Sequence, residues 1–203
     1  MDSFKLFLSS YLNFFFLLTP FFVLSTFISL TEGVSSAVRS KLAVNVTIGV
    51  ICVTLIIFWL GNYVMHLFGI NVDAFRAGSG VLLLLTAISL VLGKNTELSA
   101  KSERELLDMA VVPLAVPITS GPATLGMLMV LGTTTSVMTD RIILSLAIIC
   151  AGISIGIMLR GSEKILRYLG HSNIAILGKI TGLILSAIAM QMIVVGVRDL
   201  WMK

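Results

Sequence analysis

Hydrophobic positions run through this chain in long blocks, and the charges gather in the short stretches between them. Six blocks can supply the roughly 20 residues that a helix needs to cross a bilayer. They lie near 6–30, 43–66, 74–93, 110–132, 142–160 and 178–197. The expected fold is an all-α membrane protein of six transmembrane helices. Connections are short except for residues 94–109, KNTELSAKSERELLDM, which mix both signs of charge. Ser102 followed by Glu105 has the spacing of a capping box, so a short helix is expected to lead into the fourth span. This linker separates a first three-helix unit, residues 1–93, from a second, residues 110–203, within one membrane domain.

The fourth block departs from a plain helix pattern. Residues 109–131, MAVVPLAVPITSGPATLGMLMVL, hold three of the four prolines in the chain: Pro113, Pro117 and Pro122. Each lacks a backbone N–H, so the carbonyls of Met109, Pro113 and Ile118 lose their helical partners. Val116 and Gly121 precede prolines and are pushed towards extended conformations. A break is therefore expected between about Val116 and Gly121, with Thr119 and Ser120 inside it. In hydrocarbon a break survives only where protein or a watery cavity surrounds it. Pro122 suits the first position of a new helix, capped by Gly121 or Ser120. The N–H groups of Ala123, Thr124 and Leu125 would then be free at the positive end of a half-helix, a ready place for an anion. Broken helices used in this way mark the substrate sites of many transporters.

The first block carries the remaining proline, Pro20, near its middle. Thr19 would cap a half-helix starting there. Further matches suggest a repeat. Span three opens with Arg76, has Gly80 soon after and reaches Gly93; span six opens with Lys179, has Gly182 and reaches Gly196. Three spans per repeat would invert the second half in the membrane. The expectation is two inverted three-helix repeats, with spans one and four broken near the midplane around a central site.

Composition sharpens this picture. The chain has 203 residues, 57% hydrophobic and 12% charged, with a mean hydropathy of +1.06. Its basic balance reflects few charges, with no basic cluster beside exposed aromatics, and no nucleic-acid partner is expected. Cys52 and Cys150 lie inside apolar runs and read as small core residues, with neither disulfide nor metal-ligand spacing. Nine Lys and Arg fall on the side of the 94–109 linker and five on the other. The nine should be cytoplasmic, which puts both termini on the external face of the membrane.

All ten carboxylates lie in loops or at span ends, which argues against a proton relay of buried acids. His66 and His171 sit near span ends and read as interfacial packing. No serine has a convincing His or Lys partner for nucleophilic catalysis, so an enzyme is not expected. No cofactor or metal is expected either. Arg76 and Lys179 enter their helices about one turn in; snorkelling explains them, and their matched positions also suit gates at the two mouths. Gln191, inside span six, either bonds a neighbouring helix or faces the cavity.

These residues resemble a known group. VVPLAVPITSGP at 111–122 is similar to the VPLAxPLxAGP segment of the MarC family of six-span bacterial membrane proteins. FGINVDAFRAGSGVLL at 68–83 resembles that family's FGI-x-x-x-FR-x-AGG segment. The last span, with Lys179, Gly182 and Gln191, fits its R-x-x-G…Q pattern with lysine for arginine. The resemblance implies a multi-pass inner-membrane protein related to LysE-type amino-acid exporters, with one archaeal branch transporting small neutral amino acids. The chain also departs from the pattern. Where the family reads DPxGNxP, residues 19–25 read TPFFVLS, so Thr19, Phe22, Val23 and Ser25 replace Asp, Gly, Asn and Pro. Ser120 and Ala123 stand where Ala and Gly are usual.

The expected function is secondary transport of a small polar or zwitterionic solute, a neutral amino acid first, by alternating access. The expected site comprises Thr19, Pro20, Thr119, Ser120, Gly121, Pro122, Ala123, Thr124 and Gln191, with Arg76 and Lys179 as gates. The alternative is a non-transporting membrane scaffold that leaves the span-four break packed and dry. The lipid bilayer is the expected surrounding, and a homodimer is left open.

Overall fold

The computed structural model describes residues 3–93, 115 and 119–202, and every regular element among them is helical. In chain order these are α1 (Ser3–Leu17), α2 (Pro20–Leu30), α3 (Ser36–Phe68), α4 (Val72–Leu92), α5 (Pro122–Thr134), α6 (Met138–Arg160) and α7 (Ser162–Trp201). Four of them, α3, α4, α6 and α7, are long and apolar enough to cross a membrane. The pair α1 and α2, bent by 41° at its break, makes a fifth candidate span. The apolar helix α5 is shorter, and the residues that would complete its span lie outside those described, Ala115 and Thr119–Gly121 excepted. The 94–109 linker, its capping box, Pro113 and Pro117 also lie outside them.

Local chemistry fixes the helix ends. The Ser35 hydroxyl accepts from the Val38 N–H at 3.4 Å and opens α3. The Asn71 side-chain oxygen accepts from the N–H groups of Asp73 and Ala74, at 2.8 and 3.2 Å, and opens α4. Gly69 and Gly93 close α3 and α4 with φ of 62° and 70°, which only glycine adopts without strain. Two boundaries differ from the sequence reading. Helix α3 starts at Ser36 instead of near residue 43, because the cap at Ser35 carries the helix through the polar VRSK segment. Helix α7 starts at Ser162 instead of near 178, and Gly170 interrupts it with φ 75° and ψ 163°. Hydropathy marks where a helix meets hydrocarbon, not where it begins.

The bundle is apolar on the outside as well as inside. Only 28–39% of the most apolar window of each long helix is buried against other helices. Ile48, Ile56, Leu85, Ile153, Leu183 and Val194 point outwards. In lipid such faces are already solvated, so contact between helices rests on close packing of small residues. A Cβ at Gly132 would fall on the Phe58 carbonyl oxygen, which brings α5 against α3. One at Gly126 would meet the Ser79 hydroxyl on α4, and one at Gly156 the Thr47 hydroxyl on α3. Phe27, Phe58, Leu17, Leu24, Leu83 and Leu128 fill the wholly buried centre. Cys52 is exposed and Cys150 half-buried, so Cys52 is not the core residue that its apolar run suggested. A face turned to lipid reads as apolar just as a core does.

Candidate functional site at the helix breaks

The break in the first span turns on Thr19. Its φ of 48° and ψ of 55° put a β-branched residue in the left-handed region, a strain of about 1–3 kcal/mol. Its N–H donates to the Phe16 carbonyl at 2.9 Å, and its carbonyl accepts from the Val23 N–H at 3.0 Å. Pro20 then takes the first position of α2. The expected side-chain cap does not form. Capping needs an extended Ncap conformation that aims the hydroxyl at the first-turn N–H groups, and the left-handed turn does not provide it. Thr19 is 5% exposed, and its hydroxyl has no partner among the described residues.

The fourth-span break follows similar logic with different residues. Gly121 is the Ncap of α5, extended at φ −63° and ψ 164°, and Pro122 is the first helical residue. The Ser120 N–H donates to the Ala115 carbonyl at 2.9 Å, five residues back and wider than an α-helical turn. The Leu125 N–H is not free as expected, because it bonds the Gly121 carbonyl at 3.0 Å. That leaves Ala123 and Thr124 as the first-turn N–H groups with no acceptor in their own helix. Thr119 and Ser120 are both buried; Ser120 is 0% exposed, and its hydroxyl has no partner among the described residues.

The two breaks touch. The Thr124 hydroxyl donates to the Leu17 carbonyl at 3.0 Å, across 107 positions of sequence. Leu17 ends α1, and in an unbroken helix its carbonyl would have taken the Phe21 N–H. Thr124 therefore repairs a hydrogen bond that the first break removes, and this bond identifies it as a structural member of the junction. Beside the junction lies a recess of about 10 Å³, bordered by Phe14, Leu18, Thr54, Leu128 and Ile148. That is about the space of one water, and its walls are apolar.

Two further recesses have linings that include none of the break residues. One, of about 250 Å³, is lined by Asn13, Arg76, Met127, Ile188, Gln191 and Met192 among others. It joins two residues singled out in the sequence, Arg76 and Gln191, away from the breaks. Arg76 also bonds Asp199 at 3.2 Å and lies 3.7 Å from Asp73, which latches α4 to α7. Lys179 is exposed on α7 and borders neither this recess nor the junction recess. The other recess, of about 200 Å³, includes Ser29, Glu32, Arg39, Ser162, Glu163 and His171. Arg39 is buried there; it pairs with Glu163 and donates to the carbonyls of Thr31 and Val34 at 3.1 and 3.2 Å. Sequence reasoning passed over Arg39. The signal available was a cation near the start of a helix, where the dipole disfavours it and an outside partner is needed. Among the described residues no cluster of His, Cys, Asp and Glu is placed to hold a metal ion.

Known proteins resemble the chain along nearly its whole length. The family model described as "MarC family integral membrane protein" matches residues 4–201. The membrane protein MJ1677 of Methanocaldococcus jannaschii is 34% identical over 199 residues, covering 95% of this chain and 96% of its own. The membrane protein PYRAB13050 of Pyrococcus abyssi is 30% identical over 199 residues, 98% of this chain and 97% of its own. The membrane protein YhcE of Escherichia coli is 28% identical over 203 residues, 98% of this chain and 94% of its own. Their names state no substrate, and no solved structure matches the chain. With a family match from residue 4 to residue 201, the chain belongs to the MarC family of integral membrane proteins.

Proposed function

We propose that this protein is a secondary transporter of a small polar or zwitterionic solute, a neutral amino acid first, and that the helix breaks bind the solute's anionic group. One observation carries the reading. The hydroxyls of Thr19 and Ser120 are buried without partners among the described residues, each beside the start of a half-helix. A buried hydroxyl left unpaired costs about 1–3 kcal/mol, and two helix N-termini supply positive potential without a basic side chain. The N–H groups of Ala123 and Thr124 and the hydroxyls of Ser120 and Thr19 are the proposed donors. Thr119, Gly121, Pro20 and Pro122 shape the backbone around them.

Helix packing supports the six-span inverted repeat that alternating access requires. Helices α4 and α7 pack so that a Cβ at Gly80 would meet Ile193 and the Ala189 carbonyl. A Cβ at Gly182 would meet Leu90 and the Ala87 carbonyl. The offsets agree once Val91, 2.9 Å from the same Cβ position, is included: 182 − 80 = 102, 193 − 91 = 102 and 189 − 87 = 102. Contacts that exchange under a fixed shift belong to an antiparallel, self-complementary pair, as a two-fold axis lying in the membrane plane would produce. In this reading both termini are external and the 94–109 linker is cytoplasmic.

The scaffold reading has its own support: Ser120 is 0% exposed, and the recess bordered by Thr124 holds about 10 Å³. A transporter in an occluded state would be equally dry, so flux decides. Purified protein in liposomes should take up at least one labelled neutral amino acid saturably, in competition with its unlabelled form. Liposomes that take up no member of an amino-acid panel faster than empty ones would leave the scaffold standing.

A further inference from the structure

The recess of about 250 Å³ lies between α1, α4, α5 and α7, and the helix breaks do not use it. Its lining combines the polar side chains of Asn13, Gln191 and Arg76 with the apolar ones of Met127, Ile188 and Met192; Asn13 and Gln191 are exposed and Met192 is buried. Neither amide has a hydrogen-bond partner among the described residues. Gln191 lies ten residues before the end of α7 at Trp201, about 15 Å along the axis at ~1.5 Å per residue. An amide at that depth facing hydrocarbon would forfeit its hydrogen bonds. The recess is therefore suited to water or to one small solute.

Among the described residues, Arg76 is the only charged one in that lining. Its guanidinium is 18% exposed and meets Asp199, which is 29% exposed, at 3.2 Å. Asp199 has a second partner, since Arg198 donates to its other oxygen at 2.8 and 2.7 Å. Losing Arg76 would not strand the Asp199 carboxylate. A guanidinium carries five donors in a planar fork, so an incoming carboxylate can take over the position that Asp199 holds.

We propose that this recess is a vestibule for a small monocarboxylate or zwitterion. The solute carboxylate replaces Asp199 on Arg76, and Asp199 stays paired with Arg198. The Asn13 and Gln191 amides bond the remaining polar groups, and the methionine and isoleucine side chains take the apolar part. The inference deepens the transport reading and rests on it for where the solute goes next, whereas binding in the vestibule is measured without flux.

The test uses Gln191→Cys in full-length protein carrying Cys52→Ser and Cys150→Ala, reconstituted in liposomes. An anionic (sulfonatoethyl) and a cationic (trimethylammonioethyl) methanethiosulfonate are compared, each rate divided by that with a free thiol. The anionic reagent should be favoured by roughly three-fold or more. Adding Arg76→Gln should abolish the preference, and Asp199→Asn should enlarge it. Propionate and L-alanine should slow labelling, and propylamine should not. Equal rates for the two reagents, a preference that survives Arg76→Gln, or absence of protection by either carboxylate would overturn the proposal. So would a cysteine that reacts only with a neutral, membrane-permeant reagent, or that crosslinks two copies, which marks a lipid-facing or oligomer contact. Asn13→Cys gives the same measurement should Gln191→Cys fail to insert. Labelling as expected without flux would refute the transport reading and leave the vestibule intact.

Discussion

Replacing Ser120 with alanine should move stability and binding in opposite directions. The Ser120 side chain is 0% exposed, and among the described residues its hydroxyl bonds nothing. Folding therefore strips water from the hydroxyl without recompense, a loss of about 1–3 kcal/mol. Alanine removes that burden and leaves a defect no larger than one oxygen atom. The solute-free protein should gain about 1–2 kcal/mol, or about 2–4 °C in Tm per kcal/mol for a chain of this length. Binding should weaken, because the variant no longer bonds the solute's anionic group. One lost hydrogen bond of about 0.5–1.5 kcal/mol corresponds to about a two- to thirteen-fold rise in Kd. Thermal unfolding in detergent, with and without saturating solute, measures both quantities on one sample. A destabilised Ser120→Ala would refute the reasoning, because it would mean that the hydroxyl has a partner. A stabilised variant with unchanged affinity would make the hydroxyl a packing defect and favour the scaffold.

Thr124→Val keeps shape and volume but leaves the Leu17 carbonyl without its donor. It should cost about 1–3 kcal/mol in equilibrium unfolding, the reverse of Ser120→Ala at a neighbouring hydroxyl. Thr19→Asn should stabilise by about 1 kcal/mol, since asparagine tolerates the left-handed φ of 48° better than a β-branched residue; a loss in the same assay would contradict that conformation. Gly132→Ala sets a methyl on the Phe58 carbonyl and should cost about 1–3 kcal/mol, whereas Gly78→Ala, with nothing within 4 Å, should be neutral or stabilise by up to about 1 kcal/mol. Thermal stability of the two glycine variants side by side checks the packing of α3 against α5.

The sequence reveals most plainly what is local in origin. A missing N–H at Pro20 and Pro122 disrupts a helix whatever surrounds it, and both prolines stand at the first position of a half-helix. Gly121 before Pro122 is extended, as the proline ring demands. Features that depend on a partner far away in the chain were not legible. That Thr124 bonds Leu17, or that Arg76 meets Asp199 across 123 positions, follows from how the helices pack and not from any spacing. Thr19 was misread for a related reason. A threonine before a helix is normally a cap, and only the turn imposed by α1 packing in the bundle holds it left-handed and idle. Gln191 and Arg76, singled out in the sequence as conspicuous polar groups, share a recess whose lining includes none of the break residues with which Gln191 was grouped.

The junction itself contains the comparison that separates a binding site from a packing accident. Three hydroxyls, of Thr19, Ser120 and Thr124, lie within the same two breaks, all at least nine-tenths buried. One of them, Thr124, satisfies a carbonyl that the first break set free. The same fold could have given the other two a carbonyl each, because threonines elsewhere in it bond the carbonyl four residues back, as Thr54 does to Val50 at 2.6 Å. Among the described residues Thr19 and Ser120 make no such bond, and Thr19 sits in a left-handed turn where the helix is interrupted. A scaffold under no further demand loses nothing by carrying alanine or valine at both positions. Two idle hydroxyls beside two helix N-termini are the arrangement expected when the missing partner is a solute. That is why the sign of the Ser120→Ala stability change, set against its effect on binding, discriminates between the two readings.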